Sequence, residues 1–182
     1  MIYAIGMVEF TSIAQGIESA DAMVKTADVQ LLVAKTVCPG KYIALVSGDT
    51  SAVQQAVGAG IDWGADTVVD DFIIPNVHQS ILPAISGATE VGEVKAIGVI
   101  ETFSVASSIE AADAAVKAGD VEPIRLHLAF GIGGKSYAVF SGEVASVKAA
   151  VMRGSEIPAE KGLLVRRIVI PNPHPYLVDS LM

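Results

Sequence analysis

The chain has 182 residues, enough for one long domain or two short ones, with 52% hydrophobic and only 18% charged residues. Twelve Lys and Arg against twenty Asp and Glu leave a net charge of −8, which disfavours a nucleic-acid partner. No run approaches the ~18 unbroken apolar residues of a membrane span, and so little charge on so apolar a chain excludes disorder and implies a surface covered by other subunits.

From the N-terminus, Met1 to Phe10 lacks the basic start and long apolar run of a signal peptide, and residues 4–10 read as a strand. Ser12 followed by Gln15 marks a helix start. Behind it Ile13, Ile17, Ala20, Val24 and Ala27 form one stripe of an amphipathic helix. Residues 29–37 and 41–48 are β-branched and apolar, with Pro39-Gly40 as the turn between them. Ser51 to Gly58 reads as a short helix, Thr67 to Pro75 as a strand, and residues 77–86 as a last short helix. A single cysteine, Cys38, excludes an intrachain disulfide and fits a reducing cytoplasm.

The chain then repeats itself. Residues 4–29 and 96–121 are identical at 15 of 26 positions, including Asp21/Asp113 and Lys25/Lys117. Gly40-Lys41 returns as Gly134-Lys135, and Ile74-Pro75-Asn76-Val77-His78 as Ile170-Pro171-Asn172-Pro173-His174. The helical stripe recurs as Val105, Ile109, Ala112, Val116 and Gly119. Two copies are too few for a solenoid, so the chain reads as a fused pair of domains, 1–90 and 91–182, with Gly87 to Lys95 as linker. Each half runs β-α-β-β-α-β-α, an α+β sandwich of the ferredoxin-like kind with helices on one face of the sheet.

The phrases Ala4-Ile5-Gly6-x-x-Glu9 and Ala20-Asp21-Ala22-Met23-Val24-Lys25, and a glycine-bearing loop before a strand, resemble bacterial microcompartment shell proteins of the unpermuted tandem type. The loop Thr36-Val37-Cys38-Pro39-Gly40-Lys41, with Phe130-Gly131-Ile132-Gly133-Gly134-Lys135, is similar to the propanediol-utilisation subgroup. The resemblance implies a homotrimer, six domains around one axis, tiling a cytoplasmic microcompartment shell with other shell proteins and without membrane or nucleic acid. It also implies a 4Fe–4S cluster, one per trimer, held on the threefold axis by three Cys38 thiolates and passing electrons across the shell. Val37, Pro39, Gly40, Lys41, Gly131, Ile132, Gly133 and Gly134 would then line the centre, and Lys25 and Lys117 the contact edge between tiles.

The same residues have plainer readings. A lone cysteine is most often a small buried hydrophobe, and another thiophilic metal could take three converging thiolates. Gly134-Lys135-Ser136 looks like the end of a phosphate-binding loop, but the motif's first glycine falls on Ala129 and a strand follows where a helix should. Lys25 and Lys117 each follow an aspartate by four residues, a surface ion pair worth about 0.3–0.5 kcal/mol. Asn76 and Asn172 read as helix N-caps, and His78 and His174 as structural histidines. Asp70-Asp71 faces Val165-Arg166-Arg167 in the repeat, a charged edge or face. No catalytic constellation emerges, so the chain does not read as an enzyme. Two alternatives to a cluster-bearing tile stay open: a metabolite-conducting pore without redox cofactor, and a ferredoxin-like regulatory trimer that senses a small molecule.

Overall fold

The protein, here as a computed structural model, is described for residues 4–89 and 92–181; residues 90 and 91 of the expected linker lie outside the described residues. The chain forms two compact units, Met1–Val77 with Ala129–Gly134, and His78–Leu128 with Lys135–Met182.

The first unit is built on β1 (Ala4–Phe10), α1 (Ile13–Thr26), β2 (Gln30–Val37), β3 (Lys41–Gly48), α2 (Thr50–Gly64) and β4 (Val68–Ile74). Its sheet has the order β2-β3-β1-β4, every pair antiparallel, as a ferredoxin-like βαββαβ chain requires. Glycine at position 6 lets α2 lie against the central strand. A Cβ there would come within 2.5 Å of Val57 and 2.7 Å of Val53. Gly98 meets Val151 and Val147 at the same distances, so the Ala-Ile-Gly phrase shared by the two halves is a packing requirement met twice.

The second unit holds α3 (Ile81–Ser86), β5 (Ala96–Thr102), α4 (Val105–Ala118), β6 (Val121–His127), β7 (Ser136–Gly142), α5 (Val144–Gly154), α6 (Glu156–Glu160), β8 (Leu164–Pro171) and α7 (Pro175–Leu181). Its order, β6-β7-β5-β8, repeats that of the first sheet. On one face Ile97, Ile124 and Val139 form a cluster to which α7 adds Val178 and Leu181. Arg125 donates to the Leu181 carbonyl at 3.1 Å. Helix α3 packs on β6 and α4.

Ser12 caps α1 as expected, accepting from the Gln15 N–H at 3.3 Å, and Ser104 caps α4 in the same way at 3.0 Å. The expected core stripe of α1 is corrected. The buried residues are Gly16, Ser19, Ala20 and Met23, whereas Ile13, Ile17 and Val24 are exposed. Small residues face inward because Tyr42 fills the space below: a Cβ at Gly16 would lie 2.7 Å from its ring. The helix expected at Ser51 to Gly58 continues to Gly64. Gly60 does not stop it, because its bare Cα is where Met23 packs across. Neither asparagine caps its helix: Ser80 precedes α3, and the Asn172 N–H donates to Lys95 with the residue itself at positive φ.

Candidate functional site

The turn between β2 and β3 carries Cys38 and Pro39, joined by a cis peptide, and then Gly40 at φ 92°. Val37 is buried at the end of β2, Cys38 is half-buried, and Pro39 and Gly40 are exposed. Against this turn lies the segment Ala129–Gly134, part of the same compact unit. The Cys38 N–H donates to the Ala129 carbonyl at 3.1 Å, and the Gly131 N–H points at Cys38 Sγ at 3.3 Å. The two glycine-bearing loops singled out in the sequence are therefore one structure, with the thiol at its partly open surface.

Gly131, Gly133 and Gly134 all sit at positive φ. At Gly134 the requirement is also steric, since a Cβ would stand 2.6 Å from Pro39 Cδ and 3.0 Å from the Cys38 carbonyl. This glycine is what allows the segment to close over the cysteine turn. Gly131 and Gly133 have open space around them, and Ile132 between them is half-buried. The chain then enters β7 at Ser136, which rules out a phosphate-binding loop opening a helix.

Two lysines flank the cysteine turn in sequence, at positions 35 and 41. Lys35 Nζ lies 4.1 Å from the centroid of the Phe130 ring, and burial holds its ammonium below the ordinary lysine value. Lys41 is drawn along the sheet to Glu9, which is fully buried, with Nζ at 2.9 Å from Oε1. A buried carboxylate needs such a partner. In the second unit Lys135 makes the equivalent pair with Glu101 at 2.7 Å, more openly. Glu9 and Glu101, Lys41 and Lys135 were visible as repeated residues; their pairing was not, because it joins positions 32 and 34 residues apart.

Among the described residues no group of three or more His, Cys, Asp or Glu could hold a metal ion. A single chain supplies one sulfur ligand, with a backbone N–H aimed at it. An iron–sulfur cluster takes several thiolates, so one at this turn would need sulfur ligands from other copies of the chain.

The two lysines expected at the tile edge sit at the C-terminal ends of equivalent helices, each 2.5 Å from its aspartate. Lys25 borders a cleft of about 310 Å³ with Asp21, Glu18 and Trp63. Lys117 borders one of about 520 Å³ with Asp113, Met152 and Arg153. Asp113 differs from Asp21 in being buried and in accepting the His78 N–H on Oδ1 at 2.8 Å. No helix among the described residues is long and apolar enough to cross a membrane.

The BMC domain family matches residues 4–77 and again 96–173. The chain is 54% identical over 174 residues to the bacterial microcompartment shell protein PduT of Citrobacter freundii, covering 96% of this chain and 95% of that one. The carboxysome shell protein CsoS1 of Prochlorococcus marinus is 38% identical over 93 residues, 50% of this chain and 90% of its own length. In a crystal structure of a microcompartment protein from Desulfitobacterium hafniense DCB, 53% identical, the fold superposes with a TM-score of 0.86 over 97% of this chain and 98% of that one. Two sheets of one topology in one chain and two matches to one domain lead to the same statement: the chain belongs to the BMC-domain family of bacterial microcompartment shell proteins, in tandem form.

Proposed function

We propose that the protein is a structural tile of a microcompartment shell, a homotrimer whose three Cys38 thiolates converge on the threefold axis and hold one 4Fe–4S cluster. The observation that carries the cofactor part is the cysteine turn itself. Cys38 is partly open at a loop tip, its sulfur accepts the Gly131 N–H, and Gly134 has no Cβ because the segment closes on the turn. When bound, such a cluster passes single electrons; three protein thiolates leave one iron to an outside ligand. The chain's own residues supply the rest. The Ala129 carbonyl ties down the Cys38 N–H, and Lys35 adds positive charge beside an anionic centre. PduT and CsoS1 bear the names of shell proteins, which supports a structural rather than a catalytic role.

Protein purified without oxygen should be brown, with about one cubane of iron and sulfide for every three chains. Cys38→Ser should remove iron and colour and leave the assembly mass unchanged. An iron-free, colourless trimer after anaerobic reconstitution would remove the cluster and leave a tile whose centre is a metabolite pore framed by Gly131, Ile132 and Gly133.

A further inference from the structure

The inward faces of α2 and α5 repeat each other, and their outward faces do not. The helices align with Val53 on Val147, Val57 on Val151 and Gly60 on Gly154, all buried. On the outward side Gly58 and Ala59 stand where α5 has Met152 and Arg153, and Trp63 stands where the second unit has Ile157. Met152 is 60% exposed and Trp63 54%, while Ile157 is half-buried. Nothing lies within 4 Å of a Cβ placed on Gly58, although the residue sits inside a 15-residue helix. Glycine there weakens the helix with no close neighbour in the chain to require it. One face thus carries a protruding indole beside a bare Cα, the other an exposed thioether and a guanidinium.

Charge divides in the same way. In the second unit each carboxylate of these helices has a basic partner: Asp113 with Lys117, Glu156 with Arg153, and Glu110 with Lys161. In the first unit Asp21 keeps Lys25, but Ala59 replaces the arginine, and Asp62, the counterpart of Glu156, has no ion pair among the described residues. Glu18, the counterpart of Glu110, accepts from the Gln15 amide at 3.0 Å in place of a lysine. Lys148, exposed one turn before Met152, likewise has no ion pair among the described residues. The α1–α2 face has acid to spare beside Trp63, and the α4–α5 face a spare base beside Met152. The cleft on the second face is also the roomier, about 520 Å³ against about 310 Å³ where Trp63 closes the first.

We propose that the α1–α2 face of one trimer docks on the α4–α5 face of a second trimer, so that unlike edges meet when tiles join. Met152 of one tile seats over Gly58 of the other, Trp63 lies against that Met152 and Arg153, and Lys148 approaches Asp62. Thioether–aromatic and cation–π contacts add to the apolar area buried there. Like faces are the poorer pairing. Two α1–α2 faces would oppose Glu18 and Asp62 with only the already paired Lys25 between them, and two α4–α5 faces would set Lys148 and Met152 against their own copies with no glycine to receive the thioether. The contact is heterologous, so it repeats from tile to tile. It rests on the trimer proposed above and adds which edge of a tile recognises which.

The test uses the full chain with Trp63→Glu and Met152→Glu, both at exposed positions, read by sedimentation velocity and tryptophan emission. Wild-type trimers should form larger species as concentration rises, with emission moving to shorter wavelength as Trp63 leaves water. Each variant alone should stay trimeric, with thermal unfolding by circular dichroism still cooperative. Mixed in equal amounts the two should associate again, because Trp63→Glu keeps a sound α4–α5 face and Met152→Glu a sound α1–α2 face. Trp63 is the chain's one tryptophan, so all emission from the mixture comes from the Met152→Glu chains, and it should shift as the wild type's does. Gly58→Leu adds apolar surface and a better helix former, yet it should weaken association between trimers at least tenfold by filling the space meant for Met152. Association that persists in either glutamate variant or tightens in Gly58→Leu, a mixture whose emission does not move, or wild-type trimers that form nothing larger overturns the edge pairing and leaves the trimer standing. A wild type that sediments as single chains overturns both.

Discussion

Helices α1 and α4 are identical at 8 of 14 positions and live in different surroundings. Both set small residues on the sheet: Gly16, Ser19 and Ala20 in one, Ser108, Ala111 and Ala112 in the other. Both carry larger apolar side chains on a second face. In α4 that face is buried within the chain, and in α1 it is open. Duplication copies residues, not neighbours. A face that looks like core in one copy of a repeat can therefore be open in the other.

That contrast predicts opposite outcomes for one chemical change. Ile109→Ala removes a fully buried side chain and should cost about 2–5 kcal/mol in chemical denaturation. Ile17→Ala should cost within about 0.5 kcal/mol in the isolated chain, because the residue already meets solvent. Equal losses in the two measurements would mean that the two helices are covered alike in the isolated chain.

A second pair sharpens the comparison on the partner helices. Gly60 and Gly154 occupy equivalent places on α2 and α5. A Cβ on Gly154 would meet the Ala111 carbonyl at 2.5 Å and Ala115 at 2.9 Å, backbone and a short side chain that cannot yield. On Gly60 it would meet the Met23 thioether at 2.8 Å, the end of a flexible side chain. Gly154→Ala should therefore destabilise by about 1–3 kcal/mol. Gly60→Ala should be near neutral, the repacking of Met23 being offset by a helix-propensity gain of about 1 kcal/mol.

Much of the architecture is legible in the sequence because it is written in local signals. Ser12 and Ser104 before periodic runs, Pro39-Gly40 between β-branched segments, and the doubled Ala-Ile-Gly phrase each report a physical need within a few residues. The core face of α1 was misread because the larger residues Ile13, Ile17 and Val24 outweigh Gly16 and Ser19 on any hydrophobic scale. Only Tyr42, from another strand, decides that the small face goes inward. Cys38 and the glycines of 131–134 were legible as special residues, and their mutual contact was not. It closes 93 residues apart, with nothing in either loop that names the other. The pairings that the sequence hides are of the same kind: Glu9 with Lys41, Phe130 with Lys35, and the His78 N–H on Asp113 are all long-range.

Positions 35 and 127 give the finest test of how far the two units diverge. Each is a basic residue near the end of the equivalent strand, and each is held below its ordinary value by burial. Lys35 lies over Phe130, and His127 stacks on Tyr137 with ring centroids 5.1 Å apart. For His127 the positive charge of Arg125 adds to the burial. The imidazole in the folded chain therefore binds its proton at a lower pH than in the unfolded chain. Between that lowered value and the unfolded value near 6.5 the unfolded state holds more protons, so stability falls as pH drops through this window and levels off below it. His127→Gln should flatten that part of the stability–pH curve, whereas Lys35→Gln should leave it unchanged, since lysine titrates far above it. The effect is small because the ring is only partly buried, and it is read from urea midpoints measured at close pH intervals between about 5 and 7. A wild-type curve that gains stability on acidification through the window would mean that the folded protein favours the imidazolium, and that the stacked Tyr137 and nearby Arg125 do not govern the ring.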